Sequence, residues 1–382
     1  MKEKSAWAGL PRLRAEIDEI DVELVNLLNR RAVRSLEIGK IKAARSMDIW
    51  CPSRERALLD NLVEGSAGPL PENHLRAVYS EILSSSRALQ RPIRAAFLGP
   101  EGTFSNIACL EYFGSGVTCV PKPHLADIFE AVEKGGCDLG IVPLENSVNG
   151  SVGQSLDLFA HSGVFVQAEW YSRIHLSLMS LEEALENIRV VYSHAQPLGQ
   201  CSAWLRDNLA DAKQVSLEST ALSAQRVAEG AAGAGCAVIG HAGLAGRFGL
   251  NVLATGIEDI FDNWTRFFVI GPHVRKAEVN APETSPAGTP GADKSSIVFT
   301  IANKPGSLER VLHTLAARGI NMSKLESRPL PGELWKYIFF ADLDCDITAP
   351  DNAPVLTQML EYCHSLRVLG AYPAGRRIHA VR

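Results

Sequence analysis

Between residues 12 and 45 the chain holds no proline and a single glycine, Gly39, while Leu13, Ile17, Ile20, Leu24, Leu27 and Leu28 recur at helical spacing. Such a run can only be one long amphipathic helix. A break at Cys51-Pro52 precedes a second helix over 53–63, with Ser53 able to cap it, and a third spans 72–89, ended by Arg91-Pro92. Three helices of such unequal length do not close a monomeric core. The spacing therefore predicts an intertwined homodimer, with further pairing into a tetramer left open.

From Arg94 the periodicity changes to short apolar runs at 95–98, 117–120, 139–142, 164–168, 189–192, 237–239 and 267–270, separated by helical stretches. That order is α/β, with more than one sheet. Residues 274–293 are rich in Pro, Ala, Gly and Thr without an apolar period, and read as a linker. Beyond it, runs at 296–301, 308–317, 321–327, 335–343, 353–363 and 368–372 spell β-α-β-β-α-β, the order of a small ferredoxin-like domain. The expected division is a helical domain over 1–91, an α/β domain over 94–273, the linker, and an α+β domain over 294–382.

The 382 residues carry a net charge of -5, so a nucleic-acid surface, which needs a basic excess, is not expected. The eight cysteines are scattered without a Cys-x-x-Cys pair, which suits free thiols in a reducing compartment and offers no metal spacing. Met1 to Leu10 lacks an apolar signal core, and no run approaches membrane-spanning length. A cytoplasmic protein that engages no membrane is the expectation.

On the long helix Arg31 and Lys42 stand eleven residues apart, close to three turns, and share a side. Arg14 lies seventeen residues before Arg31, roughly 25 Å along a straight helix, so a partner chain would have to deliver it to a common site. Leu13-Arg14-x-x-Ile17-Asp18, Arg30-Arg31, Gly39-Lys40-x-Lys42, Pro52-x-Arg54-Glu55-Arg56 and Ser86-x-x-x-Gln90 together resemble the all-helical chorismate mutase family over residues 10–90. The resemblance implies a swapped dimer. In it the partner's copy of Arg14, with Arg31 and Arg54, holds the carboxylates of chorismate, Lys42 and Gln90 meet the ether oxygen, Glu55 takes the ring hydroxyl and Ser86 a carboxylate. Cys51 stands where that family often has an acidic residue, and its backbone N–H can serve in place of a side chain. A pericyclic rearrangement needs no nucleophile, only a compressed conformer and cations aimed at developing charge.

In the central region several strand ends carry polar clusters. Gly102, Thr103 and Ser105 open a helix after the first strand, where amides and hydroxyls could face an anion. Glu145, Asn146 and Ser147 end another strand, Ser193-His194 and Gln200-Cys201 flank a strand end and a helix start, and Glu218-Ser219-Thr220 reads as a helix N-cap. Asn263-x-Thr265-Arg266-Phe267 enters a last buried strand. In this order and spacing the clusters are similar to prephenate dehydratases over residues 94–273. The resemblance implies two α/β lobes like those of periplasmic binding proteins, with prephenate in the cleft. Thr265 would act at the departing hydroxyl, Arg266 at a carboxylate or the cleft wall, and Asn146, Ser193 and Gln200 as positioning groups. The proton is expected from water or from Glu145 or Glu218, protonated in a dry cleft.

Asn303-Lys304-Pro305-Gly306-Ser307-Leu308 and Leu325-Glu326-Ser327-Arg328-Pro329 resemble the effector motifs of phenylalanine-binding ACT domains, over 294–373. L-phenylalanine would sit by Gly306, Ser307 and Leu308 and by Glu326, Ser327, Arg328 and Pro329. Ser307 replaces a frequent alanine there. The order mutase, dehydratase, ACT resembles the bifunctional enzymes of bacterial phenylalanine synthesis, which implies chorismate and prephenate as substrates, L-phenylalanine as feedback inhibitor, and neither cofactor nor metal. The competing readings are a non-catalytic amino-acid sensor and a dehydratase whose helical domain only dimerises. The set Arg14, Arg31, Lys42, Arg54 and Gln90 disfavours the latter.

Overall fold

The computed structural model describes residues 9–45, 47–230, 233–274, 293–329 and 337–375, so nearly all of the expected linker lies outside the described residues. The chain forms two compact units: one comprises the residues up to Cys51, Leu58–Ile93 and Gly114–Val117, the other Pro52–Ala57, Arg94–Phe113 and everything from Thr118.

The first unit is built on helices α1 (Leu10–Ala44), α2 (Pro52–Glu64), whose residues up to Ala57 count with the second unit, and α3 (Glu72–Gln90). Cys51, not Ser53, is the N-cap of α2, because Pro52 fits the first helical position, where its missing N–H costs nothing. Helix α1 packs on α3, yet only Ser35 and Lys42 of its 35 residues are buried. Leu13, Ile17, Ile20 and Leu24 remain 50–57% exposed, an apolar stripe left uncovered by the described residues.

The second unit begins with β1 (Arg94–Leu98), α4 (Phe104–Phe113), β2 (Thr118–Lys122), α5 (Leu125–Glu133), β3 (Leu139–Asn146), β4 (Gly150–Ser151), α6 (Gly153–His161) and β5 (Phe165–Arg173). The chain then crosses to β6 (Ser177–Ser180), β7 (Val190–Ser193), α7 (Ala195–Gln200), α8 (Ser202–Asn208), β8 (Lys213–Ser216), α9 (Thr220–Ala228), β9 (Cys236–Gly240), α10 (Gly243–Phe248) and β10 (Asn251–Thr255), and returns through β11 (Trp264–Gly271). Two sheets result, ordered β2-β1-β3-β11-β5, with β4 hooked onto β3, and β10-β6-β9-β7-β8. Two crossings thus join the sheets. Ile174 N donates to Asn263 O at 2.8 Å, and Glu258 accepts from Leu176 N at 2.9 Å and pairs with His175 Nδ1 at 3.0 Å.

The last domain runs β12 (Lys294–Ile301), α11 (Ser307–Ala316), β13 (Met322–Pro329), β14 (Tyr337–Leu343), α12 (Ala353–Tyr362) and β15 (Cys363–Tyr372), its antiparallel sheet ordered β13-β14-β12-β15. Its sheet packs directly on the β3–β11–β5 face: Phe268 meets Tyr372 at 5.6 Å and Phe340 at 6.3 Å between ring centroids. One apolar cluster holds Phe159, Phe268 and Ile270 with Val298, Phe340 and Leu369.

Candidate active site

Strand β11 alternates, as any strand does, so consecutive residues leave by opposite faces. Thr265 lies opposite Asn146 in the β3 ladder, and Arg266 opposite Glu145. On one face Asn146 Nδ2 donates to Thr265 Oγ1 at 3.0 Å and to Asn263 Oδ1 at 2.7 Å, while its Oδ1 accepts from the amides of Val148 and Asn149 at 3.1 and 3.0 Å. The amide of Asn146 is fully committed, and the Thr265 hydroxyl, having accepted, keeps its own proton to donate. Ser147 closes the turn: its Oγ accepts from Trp264 N at 2.9 Å.

A cavity of about 310 Å³ opens between the lobes, lined by Asn149, Gln196, Gln200, Glu258, Asp259 and Asn263, of which Asn149 and Asn263 bond to Asn146. Asp259 is held by Ser202 Oγ at 2.9 Å and the amides of Ala203 and Trp204; burial pushes its carboxyl up, but these bonds outweigh it and leave the group below its ordinary value. Gln200, at the end of α7, lies on the cavity wall, and its carbonyl accepts from Asp259 N at 2.7 Å. Ser193 is buried and donates to Ile239 O at 2.7 Å, so it pins β7 to β9. His194 caps α7 and Ser219 caps α9, the latter accepting from Leu222 N at 3.1 Å.

Several expected site residues stand elsewhere. Arg266 leaves by the face opposite Thr265. Its buried guanidinium binds Glu169 at 2.6 Å and Asp342 at 2.5 Å, over the Phe268 ring, rather than lining the cleft. Glu145, on that same face, binds Lys324 Nζ at 2.8 Å, and Glu218 is exposed, so neither is a carboxyl in a dry cleft. Gly102, with φ +85°, donates its amide to Asn106 Oδ1 at 2.9 Å, and Thr103 donates its hydroxyl to Leu98 O at 2.9 Å. That turn satisfies itself, with Ser105 buried behind it, and does not aim these groups at an anion.

In the helical unit Arg31 binds Ser86, Gln90 Nε2 donates to Ser35 Oγ at 3.3 Å, and Lys42 Nζ donates to the carbonyls of Asp48 and Ile49 at 2.8 and 3.1 Å. Gly39 allows this packing, since a Cβ there would lie 2.8 Å from Gln90 Cγ. Arg31, Lys42, Ser86 and Gln90 therefore gather on facing sides of α1 and α3. Arg14 sits on the exposed far end of α1, and Arg54 and Glu55 lie in the first turn of α2.

In the last domain Gly306 caps α11 at φ +79°, followed by buried Ser307 and Leu308, half-buried against the domain core. Strand β13 splits the other motif by parity: Leu325, Ser327 and Pro329 are exposed, while Glu326 and Arg328 turn toward β4 and α6, where Arg328 holds Asp157 at 2.6 and 2.9 Å. Among the described residues no group of three or more His, Cys, Asp or Glu could hold a metal ion, and no helix is long and apolar enough to cross a membrane.

Three family profiles match in the same order: chorismate mutase type II over residues 13–91, prephenate dehydratase over 95–275 and the ACT domain over 295–360. A bifunctional chorismate mutase/prephenate dehydratase of Aquifex aeolicus is 37% identical over 369 residues, 95% of this chain and 98% of its own. The chain belongs to the bifunctional chorismate mutase/prephenate dehydratase family. Among solved structures, prephenate dehydratase from Arthrobacter aurescens in complex with L-Phe is 31% identical, with a TM-score of 0.65 over 74% of this chain and 90% of that one. GqqA, described as a quorum quenching acylase, is 28% identical, with a TM-score of 0.64 over 74% and 98%.

Sequence reasoning missed Asn149, Glu258 and Asp259 on the cavity wall, and the partners of Arg266. Asn263 was legible: two residues before Thr265, it shares the face of the strand that Thr265 uses. Glu258 gave no signal, because it sits on an irregular crossing whose partner, His175, is 83 residues away.

Proposed function

We propose that Thr265 and Asn146 form the centre of the dehydratase site, with prephenate in the cavity beside them, and that Arg31, Lys42, Ser86 and Gln90 form the mutase site. The Asn146–Thr265 hydrogen bond carries the reading. In prephenate the carbon–carbon bond to the ring carboxylate breaks, its electron pair enters the ring, and the ring hydroxyl leaves with the C–O pair and a proton as water. Thr265, its oxygen already occupied by Asn146, donates its hydrogen bond to that departing oxygen. Gln200 and Asn263 orient the substrate, Ser193 keeps β7 in place, and solvent supplies the net proton. A cavity of about 310 Å³ falls at the lower end of the usual range of small-molecule clefts, roughly 300–1,000 Å³.

In the mutase the two carbonyls that hold Lys42 aim its ammonium, and Gln90 is set by Ser35 and Gly39. Arg31, with Ser86, and Arg54 receive carboxylates, Cys51 N–H and Glu55 the polar edge, and Arg14 arrives from a second copy. The exposed apolar stripe of α1 supports that homodimer. L-phenylalanine binds the last domain at the start of α11 and the open face of β13, and the enzyme works in the cytoplasm. Thr265→Val is expected to lower dehydratase kcat at least about 100-fold, the cost of losing one transition-state donor, while the mutase continues. Arg14→Ala should do the reverse. Loss of both activities in either variant would sink the assignment.

A further inference from the structure

We propose that Lys324, carried by the effector-motif strand β13, is a positioning residue of the dehydratase: it grips the β3–β4 hairpin through Glu145 and Ser151, and so couples β13 to the Asn146–Thr265 pair. The proposal rests on the dehydratase and effector readings above and adds a residue to which neither gives a role.

Lys324 is 12% exposed and reaches three oxygens: Glu145 Oε2 at 2.8 Å, Ser151 Oγ at 2.8 Å and Glu326 Oε2 at 3.4 Å. Exposed ion pairs contribute little, but this ammonium is nearly withdrawn from water, and its loss leaves carboxylates facing each other. Its two grips are a ladder pair: Glu145 lies opposite Ser151, and the next pair toward the turn is Asn146 with Gly150. Glu145 also lies opposite Arg266 in β11, next to the pair Asn146 with Thr265. A displacement of the Glu145–Ser151 pair must therefore move Asn146, whose amide sets the Thr265 hydroxyl.

The same strand meets the catalytic lobe at a second point, Arg328 on Asp157, while Leu325 and Ser327 stay on its open face. A ligand on the open face acts on one strand whose other face already holds the catalytic hairpin. Beside the contact lies a cavity of about 260 Å³ lined by Glu145, Tyr171, Lys294, Lys324 and Asp342, which gives the Lys324–Glu145 pair room to take a second arrangement.

Dehydratase kcat, KM and inhibition by L-phenylalanine should be measured for Lys324→Met, Lys324→Arg, Glu145→Gln and the double variant Lys324→Met/Glu145→Gln, with mutase turnover as the folding control. Lys324→Met is expected to lower kcat about tenfold with KM little changed and to raise the half-inhibitory L-phenylalanine concentration by a similar factor, within the range of mutations along a coupled network. Lys324→Arg should restore most of both, and the double variant should be no worse than Glu145→Gln, because the two residues act as one. Wild-type kcat and inhibition in Lys324→Met, or effects that multiply in the double variant, would overturn the proposal. A lowered kcat with unchanged inhibition overturns the coupling alone. If the unmodified enzyme is indifferent to L-phenylalanine, the effector reading fails, and the kcat measurements still decide the role of Lys324.

Discussion

Thr265 and Arg266 are neighbours in sequence and part company at Cβ, because the pleat sends one to Asn146 and the other to Glu169 and Asp342. Their variants should fail differently. Arg266→Met leaves Asp342 buried without its cation, while Glu169 keeps Lys294 at 3.0 Å; the loss is on the order of 3–5 kcal/mol, so the urea midpoint of the second unit should fall sharply. Thr265→Val should leave that midpoint in place and remove turnover. An Arg266→Met enzyme that unfolds like the wild type but binds prephenate weakly would return the guanidinium to the cleft. The triplet was legible as the polar entry to a buried strand, and its division between two faces was not. Alternation says that two neighbours part, but only the burial of β11 on both faces, with a second domain on one, says which of them meets that domain.

At the scale of elements, the helices were legible because periodicity in a long helix is repeated many times, and α1 differs from expectation only at its ends. The strands that escaped are short: Lys213–Ser216 and Asn251–Thr255 lie at sheet edges, where polar residues are tolerated, and Ser177–Ser180 is central but half serine. Its Ser180 survives burial by donating to Cys236 O at 2.7 Å, a partner far away in sequence. The exposed stripe of α1 makes its own prediction. Leu24 and Leu27 are 50% and 47% exposed, and glutamate at both should place charges where the second copy is proposed to pack. Sedimentation of Leu24→Glu/Leu27→Glu is expected to give a monomer without mutase activity, since Arg14 would then have no partner site to enter. A monomer with full mutase turnover would show that one chain completes the site.

Over the whole molecule, the last domain shares a core with the lobe that carries β3, β11 and β5. Gly370 of β15 approaches so closely that a Cβ there would lie 2.1 Å from the carbonyl oxygen of Val166 in β5. At the centre of this seam Ser296 Oγ donates to Asp342 Oδ1 at 2.5 Å and lies 2.5 Å from the Tyr372 hydroxyl. Serine has one proton to give and Asp342 takes it, so Tyr372 must be the donor in the other bond and must stay protonated. Burial, followed by the charge of Asp342, accordingly pushes the Tyr372 hydroxyl well above its ordinary value. Because the folded value is the higher one, the unfolded chain loses this proton first. The contribution of Tyr372 is then fully present below the ordinary tyrosine value of about 10 and declines as pH rises beyond it. Tyr372→Phe should cost about 1 kcal/mol at pH 8, the net worth of one hydrogen bond. That deficit should narrow between pH 10 and pH 11, roughly the range in which only the unfolded wild-type tyrosine ionises. Urea midpoints of both proteins across this range test the point. A gap that stays constant would mean that Tyr372 ionises in place, and that the seam between the regulatory and catalytic domains admits water.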